Sequence, residues 1–293
     1  MRALTCLVLS LLAGVAHACQ QASNPARLAL AGGSLTEIVY FLGEEQRIVA
    51  TDRTSNYPPE AVGKPSVGYV RNLSTEGLLS LNPSLVLGED DMGPPAVLEQ
   101  VAAAGVDIVM IPEQHSAEGI IAKVRCVASV LGVSDRAERI IEARLSGDLE
   151  SLEQIAEASN GRKPRVAVLL GLRDGVPLGA GADTSAHGLI EMAGGENVLA
   201  SFDGWRPISI EAMVEADPDV FVVPSRGVDD AGGTNALLAH PGLKLTRAAS
   251  EGKLIAMDGM AMLGFGPRTL ATAVALNAEI DRLTGSSAAT GGD

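Results

Sequence analysis

The sequence is poor in aromatic residues and in positive charge. Of 293 residues one is Trp, three are Tyr and four are Phe, and 22 Lys+Arg face 36 Asp+Glu, a formal charge of −14. That balance excludes a surface that tracks nucleic acid, because phosphate binding needs a basic face. It also disfavours broad adhesion to an anionic membrane. Few aromatics mean cores of Ala, Leu, Val and Ile, and they make each aromatic outside a core segment worth placing. Cysteine is scarce too, with three in all. Cys19 and Cys126, the two beyond the first apolar run, predict neither a disulfide framework nor a zinc site. Cys126 lies in an apolar helical pattern and reads as a buried small hydrophobe. No pair of histidines has metal-ligand spacing. A Gly-x-Ser-x-Gly elbow and a Walker loop are both missing. Gly179-Ala-Gly-Ala-Asp lacks a third glycine, and the adjacent carboxylates Asp90 and Asp91 rarely converge from one loop.

What is present starts with a leader. Arg2 precedes the apolar run 6–15, and Ala16-His17-Ala18 offers the small residues of a cleavage site. Residues 1–18 are therefore expected to be a secretory signal, with Cys19 at the new N-terminus. The run is too short for a bilayer, and nothing after it is long enough either. A lipid anchor on Cys19 is the alternative fate, although His17 suits that signal poorly.

The length suits two domains or one large one. Strand-like segments at 27–31, 48–50, 85–87 and 106–111 alternate with helical ones at 35–42, 73–81 and 95–104. Ser34 and Glu37 form a capping box at the first helix. This order predicts a parallel sheet with helices on its faces. From 116 to 159 the pattern is wholly helical, with Ile120, Val124, Val127 and Leu131 at helical spacing. The alternation then restarts, with strands at 165–170, 220–223 and 253–257 and helices at 184–192, 209–216, 235–239 and 269–283. The expected fold is α/β, with two lobes of parallel sheet flanked by helices and joined by a long helical segment. The expected units are an N-terminal lobe at 27–115, a connector at 116–160, a C-terminal lobe at 161–283 and a disordered tail at 284–293. A repeat supports two related lobes. The segment from Leu73 to Val86 matches that from Ile208 to Phe221, with Ser74/Ser209, Glu76/Glu211 and Pro83/Pro218 identical.

Three blocks carry a family resemblance. They are Asp52-Arg-Thr-Ser-Asn-Tyr57-Pro58, Pro65-Ser-Val-Gly-Tyr69-Val-Arg71-Asn-Leu-Ser-Thr-Glu76, and Met257 onward through Gly-Phe-Gly-Pro267-Arg268. With the lobe-helix-lobe order behind a leader, the chain resembles the substrate-binding proteins of ABC importers for iron-siderophores, cobalamin and haem. Within them it is most similar to the periplasmic haem-binding proteins. The resemblance implies a periplasmic, monomeric, non-enzymatic receptor that takes haem in an interlobe cleft. Its partners would be the importer permease and, upstream, an outer-membrane haem receptor. A siderophore or cobalamin binder is the alternative, and a secreted haem-using or hydrolytic enzyme the second.

The same resemblance makes Tyr57 the axial ligand of haem iron. The chemistry suits it: a phenolate is a hard anionic donor that favours ferric iron, and a loop after a parallel strand is where α/β folds bind ligands. Haem propionates need local cations in an acidic protein. Arg71 and Arg226 are the first candidates, with Arg173 and Arg206 in loops of the second lobe. Tyr69, Trp205, Met262 and Phe265 are candidate porphyrin contacts. Each also has an ordinary reading as a loop anchor or core residue. Some members of the family add a second-lobe histidine ligand. His187 is the candidate here, against a capping or surface role. One glutamate per lobe pairs with permease arginines in such importers, which assigns Glu76 and Glu211 to docking. Near a helix start they also suit the helix dipole.

Overall fold

The computed structural model describes residues 19–158, 161 and 163–285. The expected leader and the residues from 286 onward lie outside that range. In the first lobe, β1 (Leu28–Ala31), α1 (Gly33–Phe41), β2 (Ile48–Thr51), β3 (Gly68–Tyr69), β4 (Asn72–Leu73), α2 (Thr75–Leu79), β5 (Leu85–Glu89), α3 (Pro95–Ala103) and β6 (Asp107–Ile111) follow in order. The strands β2-β1-β5-β6 form an all-parallel sheet, and β3 and β4 pair as a separate hairpin. Two helices, α4 (Ala117–Leu131) and α5 (Ser134–Ala158), then lead to the second lobe.

That lobe holds β7 (Arg165–Arg173), β8 (Val176–Ala180), α6 (Ser185–Met192), β9 (Glu196–Asn197), β10 (Trp205–Pro207), α7 (Ile210–Ala216), β11 (Val220–Pro224), α8 (Ser225–Asp230), α9 (Thr234–Leu238), α10 (Arg247–Ser250), β12 (Leu254–Met257), α11 (Gly259–Leu263) and α12 (Arg268–Thr284). Its sheet runs β10-β8-β7-β11-β12 with β9 beside β7. The strands β7, β9, β11 and β12 are parallel, and β8 and β10 return antiparallel. The stretch 171–183, left between the expected strand at 165–170 and the expected helix at 184–192, is therefore largely a hairpin that turns at Asp174-Gly175, both at positive φ. Trp205 lies in a strand paired with Ala180, where a Gly/Pro-flanked loop was expected. The last helix ends at Thr284, one residue into the expected tail.

The sequence repeat is also a structural one. Ser74 accepts from the Gly77 N–H at 2.9 Å to cap α2, and Ser209 accepts from the Ala212 N–H at 3.1 Å to cap α7. Each helix exits through a left-handed residue before proline, Asn82 at φ 48° and Asp217 at φ 32°. Asn and Asp tolerate that region better than other side chains. Arg27 then donates to the Leu81 and Asn82 carbonyls, and Arg165 to the Ala216 carbonyl, so an arginine beside the lobe's central strand closes each helix end.

One apolar core runs through both lobes. Leu28 and Leu85 of the first sheet, Val124 and Val127 of α4, Leu145 and Leu152 of α5, Val166 and Val220 of the second sheet, and Leu270 and Leu276 of α12 belong to one cluster. It is aliphatic, as the composition predicts; Phe221 and Phe265 are the aromatics among the largest fully buried side chains. The Ser34…Glu37 capping box does not form. Ser34 is buried and donates to Glu89, and both Glu37 oxygens serve Arg268.

The two cysteines are not independent. Cys19 and Cys126 form a disulfide across 107 positions. The segment that starts at Cys19 lies along the end of α4, held by Ser129 Oγ donating to the Cys19 carbonyl at 2.7 Å and by Ala22 N–H donating to the Val130 carbonyl at 3.0 Å. Helical spacing places Cys126 in the core correctly, but it cannot show which distant segment passes there. The bonded Cys19 sulfur is not free for a thioether-linked lipid. Closing so long a loop restricts the unfolded chain, so Cys126→Ser is expected to cost about 2–4 kcal/mol. Denaturant unfolding with and without reductant checks this; a midpoint indifferent to both changes would refute it.

Candidate functional site

The two lobes meet at the carboxyl ends of their parallel strands. His115, four residues past β6, stacks edge-on against Phe265 of the second lobe, with ring centroids 4.9 Å apart. A Cβ at Gly188 in α6 would collide with the His115 carbonyl oxygen, so glycine permits that approach. This edge, where α/β sheets expose loop residues to ligands, carries Tyr57.

The Tyr57 loop is built around Asp52. This carboxylate is 3% exposed and accepts from Gly32 N–H, Thr54 N–H, Thr54 Oγ1 and Ser55 Oγ at 2.8–3.3 Å. Ser55 Oγ lies 2.7 Å from Thr36 Oγ1 of α1. At about 1 kcal/mol net per hydrogen bond, this knot fixes the loop to the β1–α1 junction. It gives the Asp-x-Thr-Ser-x-Tyr-Pro block a physical role, since its short polar side chains hold the backbone that presents Tyr57. Tyr57 itself is 39% exposed.

Tyr57 borders a cavity of about 370 Å³ between the lobes. Glu37, Tyr40 and Tyr57 line it from the first lobe, Arg144 and Asp148 from α5, and Arg268 from the second lobe. The Arg268 guanidinium carbon sits 3.6 Å from the Tyr57 ring centroid. Its Nε donates to Glu37 Oε2 at 2.7 Å, and its backbone N–H donates to Glu37 Oε1 at 2.8 Å. Burial pushes the Asp148 carboxyl above its usual range.

Behind the first-lobe edge lies a buried charge cluster. The Lys123 side chain is 1% exposed. It reaches from α4 to Glu113, to Ser34 Oγ at 3.0 Å, and to Glu89 Oε1 at 3.7 Å. Burial pushes the Glu89 carboxyl up to about 7, against the opposing pull of Lys123. Burial also acts upward on Glu113, but hydrogen bonds from His115 and Lys123 together with the Lys123 charge outweigh it and hold that carboxyl below its usual range.

The other candidates are scattered. Arg71 lies in the β3–β4 turn and pairs with Asp91 at 2.6 Å; Tyr69 precedes it, 37% exposed. Arg173 ends β7, exposed at the hairpin tip. Arg226, its side chain 91% exposed, is the second residue of α8, with Asp230 as its ion partner at 3.7 Å. Arg206 lies over Phe202, its guanidinium carbon 5.4 Å from the ring centroid, and Trp205 is half-buried against the core. One expectation fails. Met262, on the short helix α11, and Phe265, two residues past its end, are both fully buried in the core, and neither presents a face to a ligand. His187 is the third residue of α6, with Nδ1 3.3 Å from Asn197 Nδ2 and Nε2 3.5 Å from Glu191, so both ring nitrogens have protein neighbours. Arg268 was missed as a site residue. Its signal was its place in the Gly-Phe-Gly-Pro-Arg block.

The family model described as periplasmic binding protein matches residues 28–261. The chain belongs to that family. The uncharacterized ABC transporter substrate-binding lipoprotein YvrC of Bacillus subtilis (strain 168) is 25% identical over 191 residues, 64% of this chain and 60% of that protein. The vitamin B12-binding protein of Pectobacterium carotovorum subsp. carotovorum (strain PC1) is 25% identical over 201 residues, 68% of this chain and 71% of that one. Among solved structures, the periplasmic haem-binding protein BhuT in complex with two haems is 35% identical with a TM-score of 0.82, covering 88% of this chain and 98% of that one. A periplasmic haem-binding protein from Pseudomonas aeruginosa is 34% identical with a TM-score of 0.78, covering 90% of this chain and 94% of that one. This periplasmic binding protein is thus of the two-lobed, helix-connected type, whose members bind substrates rather than transform them. The family and the lipoprotein relative point to an extracytoplasmic location.

Proposed function

We propose that this periplasmic binding protein takes ferric haem between its lobes and delivers it to the permease of an ABC importer. The observation that carries the reading is Tyr57, a half-exposed phenol on a loop knotted by Asp52, with a guanidinium of the opposite lobe on its ring. A phenolate oxygen supplies the hard anionic donor that ferric haem iron takes. Arg226 and Arg173, exposed at the carboxyl edge of the second sheet, are the cations available to propionates there, with Arg71 on the first lobe. The solved haem-binding proteins, about a third identical over most of the chain, support the same ligand.

Hemin titration tests it. The wild type should develop a saturable Soret band at one or two equivalents, and excess cyanocobalamin should not displace it. The vitamin B12-binding relatives favour cobalamin as the second reading. Cobalamin binding without a hemin spectrum would replace the first reading with that one.

Glu76 and Glu211, each the second residue of its capped helix, stand at matching places in the two lobes and serve as the permease contacts in this reading. Hydrogen bonds from its own backbone N–H and from Ser209 hold the Glu211 carboxyl below its usual range, so it presents a full negative charge. Glu76→Lys with Glu211→Lys should lower importer-dependent uptake roughly tenfold or more through like-charge contact and leave hemin affinity unchanged. Normal uptake would refute the assignment.

A further inference from the structure

We propose that Arg268 is the positioning residue for Tyr57, so that apposition of the two lobes and presentation of the phenol oxygen are one event. The proposal rests on the reading of Tyr57 as the haem ligand.

The contacts run through three elements. Glu37 lies on α1 and Tyr57 on the loop after β2, both in the first lobe; Arg268 is the first residue of α12 in the second. Glu37 receives two hydrogen bonds from Arg268, one from the backbone and one from Nε, so the first turn of α12 is anchored to α1 in position and direction. With Nε bound to Glu37, the guanidinium is carried onto the face of Tyr57, 3.6 Å from the ring centroid. A cation on a ring face restrains the ring plane and leaves its edge free. The hydroxyl is on that edge.

A buried unfilled donor is costly, and Arg268 carries one: among the described residues Nη1 has only Asp258 at 3.5 Å, and Nη2 is buried with no hydrogen-bond partner. The guanidinium face is spent on the tyrosine. Lysine could not reproduce this, because it lacks a planar group that can bond Glu37 through one nitrogen while facing a ring. Glu37, at 8% side-chain exposure, gives one carboxylate oxygen to the Arg268 backbone N–H and the other to Nε, which commits it to holding Arg268.

The test compares Arg268→Gln, Arg268→Lys and Tyr57→Phe with wild type in hemin titrations, recording affinity, the ferric absorption spectrum, and the thermal midpoint of ligand-free protein. Arg268→Gln should weaken hemin binding roughly tenfold and shift the ferric spectrum. Arg268→Lys should restore the affinity in part and the spectrum less. A structural role alone would lower the thermal midpoint without changing the spectrum. If Arg268→Gln does not fold, Glu37→Gln loosens the same arginine and should shift the spectrum in the same direction by less. If Tyr57→Phe alters the spectrum and the Arg268 or Glu37 variants do not, the positioning role is wrong and the ligand assignment stands. If Tyr57→Phe leaves the spectrum unchanged, the ligand assignment fails and this proposal with it.

Discussion

Replacing Lys123 by Met should cost about 3–5 kcal/mol of folding stability, the range for removing one partner of a buried ion pair. Methionine fits the volume and the helix, so packing is nearly conserved and the loss is electrostatic. The side chain is 1% exposed and its amine serves Glu113, Glu89 and Ser34. Without it, Glu113 keeps only His115 at 3.6 Å as an ion partner among the described residues, at 24% side-chain exposure that leaves its charge partly desolvated. Denaturant unfolding measures the loss. Lys123→Met with Glu113→Gln should recover most of it, because the stranded charge is removed along with its partner. Equal losses in the single and double variants would show that packing was responsible.

The same cluster gives a pH dependence of defined sign. It holds one amine and two carboxylates, and Glu89 is the surplus acid, raised from 4.5 to about 7 by burial. Between those values the folded protein keeps a proton that the unfolded chain has lost. The Glu89 contribution to stability therefore falls as pH rises through that window and is least above it. Glu89→Gln should unfold at higher denaturant than wild type at pH 8, and the difference should close as pH falls below 4.5, where Glu89 is protonated in both the folded and the unfolded chain. A constant difference across pH would refute the assignment.

Tyr57→Ala should weaken hemin binding by at least about a hundredfold. Loss of a group that merely orients a metal ligand typically costs 10–100-fold, and here the donor itself is removed. Ligand-free stability should change little, because the ring is 39% exposed and the loop is held by Asp52, Thr54 and Ser55 rather than by Tyr57. That separation makes the variant informative: lost affinity with an unchanged thermal midpoint assigns the residue to the ligand. Tyr57→Phe, which keeps the ring for Arg268 and removes only the oxygen, should lose the tyrosinate spectrum as fully as Ala does. Wild-type affinity and spectrum in both variants would remove Tyr57 from the iron.

Local order was legible because it depends on neighbours in the chain. Alternating apolar runs give the parallel strands, helical spacing gives α4 and α5, and Ser74 and Ser209 cap the helices whose register they share. The equivalence of Asn82 and Asp217, both left-handed before proline, follows from the same alignment. The hairpin β7–β8 was not legible as strands, because Gly171, Asp174 and Gly175 read as loop punctuation while the pairing partner that makes them a turn is specified by the sheet.

Neighbours in the chain encode the α/β class, the repeated helix-Pro-strand unit, the helical connector and the polar loop that presents Tyr57, each through its own run of spacing and capping signals. The tertiary structure alone decided which distant groups share a site. Cys19 meets Cys126 across 107 positions, and Arg268 meets Glu37 across 231. Lys123 gathers residues from α1, β5 and the segment after β6. Packing also withdrew Phe265 and Met262 into the core. Short-range patterns report backbone conformation and which face is apolar. They carry no information on what lies opposite that face, and there burial and pairing set the energy of a charge, a thiol or a ring.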